Sequence, residues 1–133
     1  MSPTTAPATT LTHHAIVIAD DDADVRCVLT MLLRELRPVF EAADGRQALE
    51  LVRKHVPALL VCDSEMPGLR ARDVILAMRR DPELANIPVI VTSGFPQAVV
   101  LDSDMLPTAF LAKPFAVAEL MQLVENTLAC AVS

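Results

Sequence analysis

Tryptophan and tyrosine are absent from this sequence, and phenylalanine occurs only four times. Any aromatic switch must use one of those four rings. Cys27, Cys62 and Cys130 are odd in number, far apart and without a C-x-x-C pair, which argues against a disulfide framework and against a zinc site. They read as small core residues. His13 and His14 are adjacent and His55 stands alone, with no carboxylate or thiol at ligand spacing, so solvated histidines are expected. Positive charge is also short: eleven Lys and Arg against seventeen Asp and Glu leave 11 − 17 = −6, which repels a duplex groove or an anionic membrane. Direct nucleic-acid binding and membrane insertion are not expected. No apolar run approaches the ~18 to 20 residues needed to span a bilayer, and no basic-then-apolar leader precedes a small-residue cleavage site. A cytoplasmic protein fits that pattern.

What is present suffices for a core. The 133 residues correspond to a single domain at the usual ~100 to 200 residues each. Apolar types make up 53% and charged types 21%, too hydrophobic for global disorder. Residues 1–14 hold five Thr and two Pro with little periodicity, so a flexible tail is expected there and a folded domain over 15–133. Ala15–Ala19, Pro38–Ala42, Ala58–Cys62, Val89–Thr92 and Thr108–Ala112 have strand length, and most are too uniformly apolar for a one-sided sheet. Between them Val25, Val28, Leu29, Leu32, Leu33 and Leu36 recur at helical spacing, as do Val117, Leu120, Met121, Val124 and Leu128 up to about Ala129. Gly45–His55 and Arg70–Arg80 are shorter helical candidates, the second stopped by Asp81-Pro82. From Phe95 to Pro107 the pattern is irregular, which predicts a short or distorted helix between the fourth and fifth strands. Strands alternating with helices require right-handed crossovers and a parallel sheet, whose sites lie at the carboxyl ends of the strands.

At those ends chemistry collects. Asp20-Asp21-Asp22 follows the first strand and Asp63 ends the third. Carboxylates that converge repel one another, and a hard divalent cation such as Mg²⁺ relieves the repulsion. Spacing alone equally allows the three aspartates simply to cap the helix that begins near Ala23. Thr92-Ser93-Gly94 follows the fourth strand and Lys113-Pro114 the fifth, adding a hydroxyl and an ammonium. Singly, Ser93 reads as a turn residue and Lys113 as a surface lysine. Together with the acids they form the set that an anionic phosphoryl group needs.

In sequence order, Ile18-Ala19-Asp20-Asp21-Asp22, Asp63-Ser64-Glu65-Met66-Pro67-Gly68, Pro88 through Gly94 and Lys113-Pro114-Phe115 resemble the receiver domain of two-component response regulators, over about Ala15 to Ala129. The resemblance implies an α/β fold: a five-stranded parallel sheet of order 2-1-3-4-5 with helices on both faces. It implies that Asp63 accepts a phosphoryl group and also binds Mg²⁺, that Asp21 binds Mg²⁺ directly and Asp20 largely through water, and that the Glu65 backbone carbonyl completes the protein ligands. Ser93 and Lys113 would hold phosphoryl oxygens, Lys113-Pro114 would be a cis peptide, and Phe110 would occupy the switch position. The implied partners are a sensor histidine kinase or histidine phosphotransfer protein and a downstream protein target. Self-catalysed, Mg²⁺-dependent aspartyl phosphorylation and dephosphorylation would be the only chemistry.

Some positions depart from the family pattern. Arg70-Ala71 stands where Asp-Gly is common, Leu106-Pro107-Thr108-Ala109 replaces the usual Gly-Ala before the last strand, and Phe110 lacks the hydroxyl of a tyrosine. Phe95 and Glu65 flank the expected path of attacking water, with shielding by Phe95 expected to lengthen the life of the phosphoryl group. Two other readings of the same residues fit less well. A phosphorylation-independent pseudo-receiver would have lost acceptor-site residues, and all are present. A haloacid-dehalogenase-like phosphohydrolase would carry Asp where Glu65 stands and would need a cap domain. A stand-alone regulator without an output domain is expected, with a receiver cut from a longer chain as the alternative.

Overall fold

The computed structural model describes residues 14–94 and 109–132, with side chains as far as Ala129. In chain order its elements are β1 (Ile16–Ala19), α1 (Ala23–Leu33), β2 (Val39–Ala42), α2 (Gly45–His55), β3 (Leu59–Asp63), α3 (Ala71–Arg79), β4 (Val89–Ser93), β5 (Ala109–Ala112) and α4 (Val117–Val132). All strand pairs are parallel and the order is β2-β1-β3-β4-β5. The expected sheet is therefore present, with strand limits within a residue of those predicted.

Apolar strands conceal a period of two, because both faces are covered. Ile16, Ile18, Leu59, Val61, Ile90 and Leu111 pack with Leu29 and Leu33 of α1 and with Leu120, Val124 and Leu128 of α4. On the other face Val17, Ala19, Leu60, Cys62, Val89 and Val91 pack with Ala48, Leu49 and Val52 of α2 and with Val74, Ile75 and Met78 of α3. Central strands β1, β3 and β4 are wholly buried, whereas the edge strands β2 and β5 are only partly so. Asp44 starts α2 by accepting from the Gln47 N–H, and Asp22 starts α1 by accepting from Asp24 and Val25. Gly45 is fixed by close approach: a Cβ there would lie 1.9 Å from the carbonyl oxygen of Leu69, so only glycine lets α2 meet the loop that follows β3.

Several expectations are corrected. Helix α4 runs on to Val132 rather than ending near Ala129. Val28 is 50% exposed and Val117 52% exposed, although both share the helical spacing of the core residues. A helix lying on a sheet buries one stripe; Leu29 and Leu33 occupy it in α1, and Val28 falls outside. Cys27, beside Val28, is exposed rather than in the core, while Cys62 is buried. His55 is buried, not solvated: its ring stacks on Phe40 with centroids 3.9 Å apart and planes 9° apart. The expected tail, apart from exposed His14, and the short or distorted helix expected between Phe95 and Pro107 lie outside the described residues.

Candidate functional site

Parallel strands deliver their carboxyl ends to one edge, and there Asp20, Asp63, Ser93 and Lys113 arrive from β1, β3, β4 and β5. Asp20 is 1% exposed, Asp63 7% and Ser93 2%, so solvent does little to screen their interactions. Carboxylate oxygens of Asp20, Asp21 and Asp63 all lie within 4.8 Å of one another, and Asp21 alone of the three is exposed. The three aspartates divide: Asp22 caps α1, while carboxylate oxygens of Asp20 and Asp21 lie near Asp63.

Lys113 crosses this cluster. Its Nζ donates to Asp20 Oδ2 at 2.9 Å and lies 3.4 Å from Asp63 Oδ1. The remaining Asp20 oxygen accepts from the Asp22 N–H at 2.9 Å, and the Glu65 N–H donates to Asp63 Oδ1 at 3.4 Å. Burial pushes the Asp63 carboxyl above its ordinary pKa and the Asp20 charge adds to that, partly offset by Lys113 and the Glu65 N–H. Burial alone would depress the Lys113 ammonium, but Asp20 and Asp63 outweigh it and hold the ammonium above its usual value. Register places Asp63 beside Thr92, and the Lys113 N–H donates to the Ser93 carbonyl at 2.8 Å, so Ser93 and Lys113 sit together at adjoining strand ends. The Lys113-Pro114 peptide is cis, as the sequence led us to expect. Phe110 is half-buried and packs on the core face that α2 and α3 cover, and Glu65 is exposed.

A divalent cation suits this donor set. Three carboxylates and one ammonium sum to −3 + 1 = −2 in formal charge, which one Mg²⁺ would cancel, and every candidate ligand is a hard oxygen. Two residues escaped the reading of the sequence. Arg26, one turn into α1, donates from Nη1 to the Asp20 carbonyl oxygen at 2.6 Å, and its Nε pairs with Glu41 of β2 at 3.4 Å. A cation six positions after a strand-end acid was the available signal.

Residues 16–125 match the family model of the response regulator receiver domain. The chain belongs to that family. This receiver is 30% identical over 115 residues to chemotaxis protein CheY-3 of Vibrio cholerae, covering 84% of this chain and 88% of that protein. It is 33% identical over 129 residues to the transcriptional regulatory protein PdtaR of Mycobacterium tuberculosis, and spans 94% of itself but only 62% of that relative. A 34% identity over 114 residues links it to the sensor histidine kinase TmoS of Ectopseudomonas mendocina, of which the match covers 12%. Among solved structures, the chemotaxis response regulator CheY4 of Vibrio cholerae superposes with a TM-score of 0.79 at 22% identity, over 86% of this chain and 98% of that one. At that identity the likeness shows the fold alone. Receivers are two-component signalling modules, and among the described residues no helix is long and apolar enough to cross a membrane.

Proposed function

We propose that Asp63 is the phosphoacceptor of this receiver, charged by a sensor histidine kinase or a histidine phosphotransfer protein. The observation that carries this reading is the position of Lys113, whose ammonium reaches from the last strand to both Asp20 and Asp63. One carboxylate oxygen of Asp63 attacks the phosphorus of a phosphohistidine; the P–O bond forms as the P–N bond breaks, and the imidazole leaves with the electron pair. Asp20, Asp21, Asp63 and the backbone carbonyl of Glu65 would hold Mg²⁺, which supplies neutralising charge for the phosphoryl oxygens. Lys113 and the Ser93 hydroxyl donate to those oxygens, so that charge developing in transfer is met by donors already in place. Burial of Asp63 keeps bulk water from competing with the incoming group.

The modified residue carries added negative charge, so Lys113 is drawn toward it and away from Asp20, and Phe110 in the strand that Lys113 follows repacks. That shift in population alters what the surface binds, and the output is a change in protein partner. The histidine kinase TmoS, with a segment similar to this chain, supports coupling to kinases. Because all acceptor-site residues are retained, a phosphorylation-independent binding module is the weaker reading. Incubation with Mg²⁺ and acetyl phosphate tests the proposal. Wild type should gain the mass of one phosphoryl group, acid-stable and base-labile, and Asp63→Asn should gain none; equal gain in both would remove Asp63 from the role.

A further inference from the structure

Asp20 is held on every side. Its N–H donates to the Ala42 carbonyl at 3.1 Å, its Oδ1 accepts from Asp22, its Oδ2 accepts from Lys113, and its carbonyl oxygen accepts from Arg26 at 2.6 Å. Among the described residues, Asp21 has none of that support. It lies two residues beyond β1, it is exposed, and its direction depends on the peptide plane it shares with Asp20. The carbonyl that Arg26 grips belongs to that plane.

Resting on the Mg²⁺-binding reading of the acid cluster, we propose that Arg26 is a positioning residue for Asp21: it pins the Asp20–Asp21 peptide so that the exposed carboxylate stays turned toward Asp63. The guanidinium suits this task because its planar fork presents several donors at once. Nη1 serves the carbonyl and Nε serves Glu41, which sits on β2 opposite Ile18, so the grip is anchored on the edge strand. Arg26 is only 18% exposed at its side chain, so the link is shielded from competing water. Outer contacts of this kind orient the groups that touch a metal, and their loss typically costs ~10 to 100-fold in metal affinity.

Positioning and plain electrostatics predict opposite signs. A cation near the acid cluster repels Mg²⁺, so if charge were its only effect, Arg26→Met would tighten binding. If Arg26 orients Asp21, the same substitution loosens binding despite the lost repulsion. Mg²⁺ titration by calorimetry of the full chain, without phosphodonor, distinguishes the two. Expected are a Kd about 10-fold weaker in Arg26→Met, partial recovery in Arg26→Lys, which keeps one donor but not the fork, and a smaller loosening in Glu41→Gln. The double variant Arg26→Met with Glu41→Gln should be no weaker than Arg26→Met alone, since Glu41 acts only through Arg26. Circular dichroism confirms the fold of each variant, and should Arg26→Met not fold, Arg26→Gln, which also removes the cation, carries the test. Unchanged or tighter binding in folded Arg26→Met, or in Arg26→Gln if that must serve, overturns the positioning role. Failure of wild type to bind Mg²⁺ overturns the reading of the cluster and this inference with it.

Discussion

Lys113 and Asp20 stand 93 residues apart in the chain and 2.9 Å apart in the fold. The contact joins the first strand to the last across an edge where β3 supplies Asp63 between them. Asp20 is almost fully buried, so its charge depends on that ammonium. Lys113→Ala should therefore lower the melting midpoint in divalent-free buffer, and added Mg²⁺ should recover much of the loss by replacing the missing charge. Thermal denaturation with and without Mg²⁺ checks this; a loss that Mg²⁺ leaves unchanged would mean that Lys113 acts by packing.

The three consecutive aspartates should separate cleanly. Asp22→Ala removes the α1 cap and should cost about 1 kcal/mol while leaving Mg²⁺ affinity near wild type. Asp21→Ala should change metal-free stability little and abolish the rise in midpoint with Mg²⁺. For wild type that rise corresponds to ~2.7 kcal/mol with the cation at 100 times its Kd.

Asp63→Asn should raise the midpoint in the absence of divalent cations. Burial and the Asp20 charge disfavour the ionised carboxylate in the folded state, as its raised pKa records, so a neutral near-isostere relieves more than the lost Lys113 contact removes. A midpoint below wild type would show that the contact with Lys113 dominates.

His55 imposes a pH dependence remote from the site. Burial, with Lys54 beside it, holds its imidazole below the ordinary 6.5. The unfolded chain takes up that proton first, so stability is full above 6.5, falls as pH drops from there through the lowered folded value, and is level below it. Melting midpoints compared above and below 6.5 should show a smaller drop in His55→Phe, where Phe also preserves the stack on Phe40.

Gly45→Ala should destabilise by ~1 to 3 kcal/mol through overpacking, because its Cβ would enter the Leu69 backbone. Chemical denaturation measures it. A neutral substitution would mean that the loop after β3 yields freely.

Much of this fold is legible in one dimension. Short apolar runs alternating with helical periods dictate a parallel sheet covered on both faces, and the strand ends name Asp20, Asp21, Asp63, Ser93 and Lys113 without coordinates. Their order along the chain is enough because parallel strands deliver all carboxyl ends to the same edge. Hydropathy periodicity cannot tell which flank of a helix meets the sheet, so Val28 and Val117 share the spacing of the core residues and yet stand half-exposed. Nor does composition reveal that His55 finds an aromatic face in Phe40, a neighbour supplied by an adjacent element. Tertiary structure alone decided that Asp22 caps α1 while Asp20 and Asp21 approach Asp63, and it gave Arg26 its place. Hydrogen bonds to a main-chain carbonyl depend on the angle at which helix leaves strand, and that angle is set by packing across the whole sheet.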